Sequence, residues 1–391
     1  MSTEYSRQPK HDGYIHVACV SDIHLESKRT PTDLIIRNLN TYLTNDRVFK
    51  DLDVLFLAGD VFDNNIALSR PHCTSVMSWM QHLILLSIKH KVCVRVLEGT
   101  PSHDRAQSRH FITKRDDIYH AVGVRADIEY FDTLSVEALV FTNRTLQVLY
   151  VPDEWGPAQS TLEQVDELMH SRGLNRFDLA VMHGTFDFQN PIIAHHAGTH
   201  KSEEYSKRAK LIFIGHEHTA RTQGNIIAQG SFDRLEHGQE QPKGYIRVKI
   251  LEDDSYIAQR VVNKTAAVFK TIICKSDDVE AMYEDVHATA RSLEDGSHVC
   301  IETFKSSAMA QSLTYFERNY PQHVWKLSLK DSKASKEILA DATLTQIPSS
   351  IVLNEHTLLG LCEQQAKFKC VADGDIAGVL DIIKQVMQTS K

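Results

Sequence analysis

No stretch of this 391-residue chain is apolar for long enough to cross a bilayer. The longest runs, such as Leu83 to Leu86, fall far below the ~20 residues a spanning helix needs. The first residues, MSTEYSRQPKHDG, lack the apolar stretch of a signal peptide. Cysteine is scarce: the seven (Cys19, Cys73, Cys93, Cys274, Cys300, Cys362 and Cys370) form no CxxC pair. An odd count in a chain of this size points to reduced, mostly buried thiols. No Gly-x-x-x-x-Gly-Lys-Ser/Thr loop occurs, so any ATP dependence must come from another chain. An excess of basic residues is missing too. The formal net charge is -8, so a nucleic-acid partner would have to be held by local basic patches or by a more basic subunit. The expectation is a protein of the cytoplasm, or of the host cytoplasm if the chain is viral, with no membrane association.

What is present is ordinary globular material, 42% hydrophobic and 24% charged, in a length that calls for more than one domain. Short apolar runs recur, and each ends in a polar cluster. Val17 to Val20 runs into Ser21-Asp22-Ile-His24, and Val54 to Ala58 into Gly59-Asp60. Val92 to Leu97 leads to Glu98-Gly99-Thr100, Leu179 to Met182 to His183-Gly184, and Leu211 to Ile214 to Gly215-His216-Glu217-His218. Runs of four to six residues rich in Val, Ile and Phe and bounded by Gly read as buried strands. Helical stretches lie between them, at Pro31 to Thr44, Arg70 to His90 and Ser160 to Ser171. Such alternation predicts an α/β sheet with its functional groups at the carboxyl ends of strands.

Gly224 to Leu251 reads as further strands closing a first domain, residues 1–262. The pattern then restarts as strand, helix, strand, helix and strand between Ala267 and Leu329, a small α+β unit over 263–335. A polar linker and two amphipathic helical stretches, between Leu353 and Met387, make a tail over 336–391.

The polar clusters share carboxylates and imidazoles, the natural ligands of Mn, Fe or Zn. Converging at strand ends, they build a dinuclear centre. Two cations roughly 3.5–4 Å apart clamp and polarise a phosphate and acidify water. Phosphodiester hydrolysis needs that, plus an acid for the departing alkoxide.

Asp22-x-His24, Gly59-Asp60-x-x-Asp63, a variant Gly-Asn-His-Asp motif, His183 and Gly215-His216-x-His218 together resemble the signature of calcineurin-like metallophosphoesterases. More narrowly, Gly59-Asp-Val-Phe-Asp63, Gly230-Ser-Phe-Asp-Arg-Leu-Glu-His-Gly and Lys243-Gly-Tyr resemble the SbcD-type nuclease subunit of recombination and repair complexes. The general motifs span residues 15 to 220, and the narrower match reaches about residue 250. The resemblance implies a pair of sheets flanked by helices, a small capping domain and a helical tail. It makes Asp22, His24, Asp60 and His218 the first cation's ligands. Asp60 bridges to a second cation, completed by His183, His216 and position 102. His103 becomes the acid, with Asp104 supporting it. The family's Asn slot falls here on Ser102, because the loop reads Gly99-Thr-Pro-Ser102-His-Asp.

The implied cofactor is two divalent cations, first of all Mn2+, with Mg2+, Fe2+ or Zn2+ as alternatives. The implied partners are DNA, a second copy of the chain paired through the Arg70 to His90 helix, and an SbcC-like coiled-coil ABC ATPase docked on the tail. Arg105, Arg109, Lys207, Arg208 and Arg234 are candidate phosphate contacts. His195, His196 and His200 crowd one segment and read as a solvated loop rather than a third metal site. Two other functions keep the same residues: hydrolysis of small phosphodiesters or phosphoproteins, and a DNA-binding scaffold weakened at Ser102.

Overall fold

In the computed structural model, residues 6–331 are described apart from 67–71, 154–155, 190–195 and 277. The tail over 336–391 and His195 lie outside the described residues.

The apolar runs become strands because they bury both faces. In β1 (Tyr14–Val20) and β2 (Val54–Ala58), successive side chains alternate between two cores. Ile15, Val17, Cys19, Val54, Phe56 and Ala58 enter the inner core between two sheets. Ala18, Val20, Leu55 and Leu57 enter an outer core under helices. Strands covered on both sides read as continuous apolar sequence. Helices α1 (Thr32–Tyr42), α2 (Asp46–Asp51) and α3 (His72–His90) follow, with β3 (Cys93–Leu97), α4 (His110–Val122) and β4 (Ile128–Phe131). Helix α1 places Ile35 and Leu39 on one face of that outer core, and α3 adds Val76, Trp79, Met80, Leu83 and Ile84. Each fully buried side chain of this kind is worth ~1.5–3 kcal/mol. Of the apolar residues of α3, Leu85 is the one left exposed. The helix thus commits most of its hydrophobic surface to its own core.

The second sheet begins with β5 (Ser135–Val140) and β6 (Thr145–Val151). It continues through α5 (Ala158–Ser171), β7 (Phe177–His183), α6 (Ser202–Arg208), β8 (Ala209–Gly215), β9 (Arg221–Gln223) and β10 (Ile226–Ala228). Its order is β5-β6-β7-β8-β10-β9. The chain then returns through β11 (Gly244–Leu251) and β12 (Tyr256–Val262), which extend the first sheet to β12-β11-β1-β2-β3-β4. The layers are helices, sheet, sheet, helices. Strands β1 to β4 run parallel, as do β6, β7 and β8, so the carboxyl ends of each set share one edge.

One residue inside an apolar run breaks the pattern. Arg95, on β3, is 2% exposed and forks onto Glu137 of β5 with bonds of 2.8 and 2.7 Å. It also meets Asp127 at 2.9 Å. A buried guanidinium is tolerated when its donors are matched in this way, and here the match joins the two sheets.

A third sheet, β13-β14-β15, has its own core. It comprises β13 (Phe269–Cys274), α7 (Val279–Ser292), β14 (His298–Phe304), α8 (Leu313–Asn319) and β15 (Val324–Lys330). Asp233 holds the connection to it, accepting from Asn38, Asn263 and the backbone N–H of Ala267. Among the described residues, no helix is long and apolar enough to cross a membrane.

Candidate metal centre

The shared edge gathers the polar clusters. Just past β1 and β2 the chain runs as two hydrogen-bonded turns: Asp22 N donates to Gly59 O at 3.1 Å and His24 N to Asp60 O at 3.0 Å. Asp22, His24, Asp60 and His216 all adopt positive φ, at 50°, 52°, 50° and 104°. Such backbone costs non-glycine residues of order 1–3 kcal/mol each, and it persists where the surroundings over-determine it. The result is convergence, since side chains that would splay along extended strands turn toward one point.

Glycines let the two sheets close on that point. A Cβ built on Gly215 would lie 2.5 Å from Ala58 O and 2.8 Å from His183 Nδ1, too close for any side chain. With only hydrogen there, His183 of β7 reaches across and its Nδ1 meets Ala58 O at 2.8 Å. That bond assigns a hydrogen to Nδ1 and turns Nε2, the nitrogen a metal would take, toward Asp60, 3.3 Å from Oδ1.

Three groups of closely spaced ligand atoms result, His24 with Asp63 and His103, and two further clusters. Asp22, His24 and His218 form one, and Asp60, His183 and His216 the other. His24 and His218 face each other Nε2 to Nε2 at 3.1 Å, the separation two ligands adopt on one cation with bonds of ~2.1 Å. Asp60 serves both clusters, with Oδ2 3.7 Å from His24 Nε2 and Oδ1 toward His183. The electrostatics fit a cation as well. Burial alone would raise the Asp60 carboxyl, yet the surrounding histidines hold it well below the ordinary range. Burial would likewise lower His183, but the Asp60 carboxylate pushes it up to about 10. A buried carboxylate drawing positive charge from several imidazoles is where a divalent ion belongs. These residues could hold two such ions.

The histidines are themselves steered. His24 Nδ1 lies 3.2 Å from Asp63 Oδ1, and Asn64 Nδ2 donates to the other Asp63 oxygen at 2.7 Å. His218 Nδ1 lies 2.7 Å from the Gln239 side-chain amide, while Lys243 Nζ donates to the His218 carbonyl at 2.7 Å. Burial lowers the Lys243 ammonium to about 8. The backbone N–H of His216 donates to Asp22 Oδ1 at 3.0 Å. Asp63 and Lys243 stand in the motifs that carry the resemblance but receive no role in the site from the sequence, and Gln239 is not legible there because nothing in its spacing separates a ligand's support from a turn.

His103 stands where the resemblance puts it. Its Nδ1 is 2.9 Å from Asp60 Oδ2, and that bond raises its pKa above the ordinary value. Its side chain is 37% exposed, like that of His216 at 35%, against 0–3% for Asp22, His24, Asp60 and His183. Within the cluster it is therefore open to substrate.

Two expectations need correction. Asp104 does not support His103: its oxygens accept from Phe62 N at 2.9 Å and Gly99 N at 2.8 Å, stapling the β2 turn to the β3 turn. Burial, with Asp60 close by, raises this carboxyl to about 7. Ser102 does not reach the centre. It is exposed, and its carbonyl accepts from Arg105 Nε at 2.8 Å. The side chain that meets Asp60, His183 and His216 is Thr100.

The basic candidates are mostly engaged. Arg109 pairs with Asp132, Lys207 with Glu203 and Glu204, and Arg208 with Asp166 and Glu204. Arg234 donates to the carbonyls of Ala266 and Ala267. Lys207 and Arg208 precede β8, so the seven-residue strand separates them from His216 by roughly 20 Å. Arg105 is exposed beside the centre and has no carboxylate partner among the described residues. Of the crowded histidines, His200 is buried away from both clusters, packed on Phe186 and Tyr205.

No curated protein is similar to the chain in sequence. Among solved structures, the crystal structure of TT1561 of Thermus thermophilus aligns with 9% identity and a TM-score of 0.36, covering 63% of this chain and 99% of that one. A second aligns with 11% identity and a TM-score of 0.37, over the same shares. The family model for calcineurin-like phosphoesterase matches residues 15–220, more than half of the sequence and every strand that carries a candidate ligand. The chain belongs to the calcineurin-like phosphoesterase family, whose members are metal-dependent phosphoester hydrolases.

Proposed function

We propose that this chain is a Mn2+-dependent DNA phosphodiesterase, the exonuclease and endonuclease subunit of an SbcC–SbcD-like repair and recombination complex. The observation that carries the reading is the placement of the stretch by which the resemblance narrows, Gly230 to Tyr245. It packs directly on the metal ligands, through Gln239 and Lys243 on His218 and through Phe232 N on Asp22 O. Two divalent cations supply charge for the phosphate and an acidified water. The chain's own groups do the rest: Asp22, His24, Asp60, His183, His216 and His218 hold the cations, and His103 gives the leaving alkoxide its proton. Partner binding would fall to the tail between Leu353 and Met387, with the SbcC-like ATPase as its target.

One observation favours a second reading. Because Arg109, Lys207, Arg208 and Arg234 are satisfied within the chain, these four candidates present little cationic track for a duplex. A small phosphodiester or a phosphoprotein needs none. Turnover of linear duplex DNA and of a chromogenic bis-aryl phosphodiester, measured side by side with Mn2+, separates them. Cleavage of DNA supports the nuclease. Turnover of the small diester alone, with and without the ATPase, supports the second reading, and turnover of neither supports the scaffold. Deleting Leu353 to Lys391 should leave Mn2+-dependent cleavage intact and abolish stimulation by the ATPase; retained stimulation would refute the docking role.

A further inference from the structure

The cluster of Asp60, His183 and His216 has one more oxygen. Thr100 follows the end of β3 by three residues, and its hydroxyl lies 3.2 Å from His216 Nδ1, 3.3 Å from Asp60 Oδ2 and 3.5 Å from His183 Nε2. A hydroxyl has a single proton to donate. Asp60 Oδ2 is an acceptor. In the neutral ring that a metal ligand must be, His183 Nε2 is one as well, because its Nδ1 gives the ring hydrogen to Ala58 O. One O–H cannot serve both at once. Oxygen and nitrogen atoms able to bind a metal thus converge around this hydroxyl, a packing suited to a cation.

The backbone is built to deliver Thr100 there. Its N–H donates to Asp60 Oδ1 at 2.6 Å. That approach depends on Gly99, since a Cβ at this position would sit 2.1 Å from Asp60 N. Pro101 then confines Thr100 to extended backbone, because the proline ring disfavours helical geometry in the residue before it. Beyond the proline the chain turns outward through Arg105 and Ala106, both at positive φ, and carries Ser102 into solvent.

We infer that Thr100, through its hydroxyl oxygen, is a ligand of the second cation, completing Asp60, His183 and His216. The assignment rests on the dinuclear reading above and specifies one of its two sites. It also makes the sites unequal. The first is offered two carboxylates, from Asp22 and Asp60, with two imidazoles. The second shares Asp60 and replaces the other carboxylate with a neutral hydroxyl, a weaker donor. The second ion is then the more loosely held and exchangeable of the pair. Its donors, two oxygens and two imidazole nitrogens, include no thiolate for a thiophilic ion.

Manganese titration of the full chain, followed by the loss of the free-ion electron paramagnetic resonance signal and by calorimetry, tests this without reference to turnover. Wild type should take up two ions in two separated steps. Thr100→Val keeps the side chain's shape and removes its oxygen. Its second step should weaken at least ~10-fold while the first is unchanged. Thr100→Ser restores the oxygen and should hold both ions, and Ser102→Ala should titrate as wild type. Two undisturbed steps in Thr100→Val would overturn the assignment. So would loss of the second ion in Ser102→Ala, or in a folded Thr100→Ser, where the methyl and not the oxygen would be what matters. A single ion per wild-type chain would instead overturn the dinuclear reading itself.

Discussion

Gly59 and Gly13 share a backbone φ of +83° and differ in what surrounds them. A Cβ at Gly13 would meet nothing within 4 Å, whereas one at Gly59 would lie 2.2 Å from His183 Nδ1 and 2.8 Å from Gly99 Cα. Replacing each by alanine therefore separates backbone strain from collision. Both substitutions force an L-residue into the left-handed region, at ~1–2 kcal/mol. For a chain of this length that shifts the melting temperature by no more than about 4 °C. Gly59→Ala must in addition move the His183 ring by about 1 Å to reach ordinary van der Waals contact. The ring is fully buried and pinned to Ala58 O, so the displacement falls on Nε2, the atom aimed at Asp60. Misplacement of a reacting group by ~1 Å costs on the order of 10²-fold in rate. The expected result is a Gly13→Ala variant that hydrolyses a bis-aryl phosphodiester with Mn2+ like wild type, and a Gly59→Ala variant that is less stable by a further ~1–3 kcal/mol of overpacking yet folded, and about a hundredfold slower. Equal activity in the two alanine variants would refute the claim that glycine is needed at 59 to seat His183.

Three further outcomes follow from the geometry. His103→Ala should slow the chemical step by ~10²–10⁴-fold while metal titration stays unchanged; loss of a bound ion would make His103 a ligand instead. Arg95→Met leaves Glu137 without its cation and Asp127 with Arg7 alone, so urea unfolding should report a loss of ~3–5 kcal/mol; a loss under ~1 kcal/mol would mean the guanidinium is not what joins the sheets. His16 is buried beside Arg247, and burial lowers it to about 4 from an ordinary 6.5. Because the unfolded chain then takes up a proton the native one refuses, the stability His16 lends is present above about pH 6.5 and lost as pH falls toward about 4. His16→Gln should flatten that slope by about one proton in denaturant unfolding at stepped pH, and an unchanged slope would exclude the group.

The sequence announced the centre through its runs, because strands buried on both faces must be apolar and must end where the polarity begins. Val54 to Ala58 is apolar to its last residue, and Gly59-Asp60 follows at once. Edge strands carry no such signal. β4 and β5 keep one face half-exposed, with Glu129, Ser135 and Glu137 along them, so their apolar content is too diluted to stand out. Arg95 sits unannounced in a strand because its partners lie 32 and 42 residues away. Ser102 was misplaced for a local reason. Counting back one residue from His103 assumes that the loop advances evenly, whereas the turn beyond Pro101 lifts Ser102 off and leaves Thr100 behind at the centre. The tail's amphipathic pattern lies outside the described residues.

The placement of the ligands on both sheets makes metal binding a property of the whole sandwich. Asp22, His24 and Asp60 extend from one sheet; His183, His216 and His218 extend from the other. An ion held between them is a rivet through the inner core, bound only while the sheets keep their spacing. At a free ion concentration about a hundred times its dissociation constant, each such rivet adds ~2.7 kcal/mol to the folded state. Chelation should then do more than silence the chemistry. It should loosen the seam where Gly215 meets Ala58, so that amides on β7 and β8 exchange faster with solvent and the melting temperature tracks the metal supply.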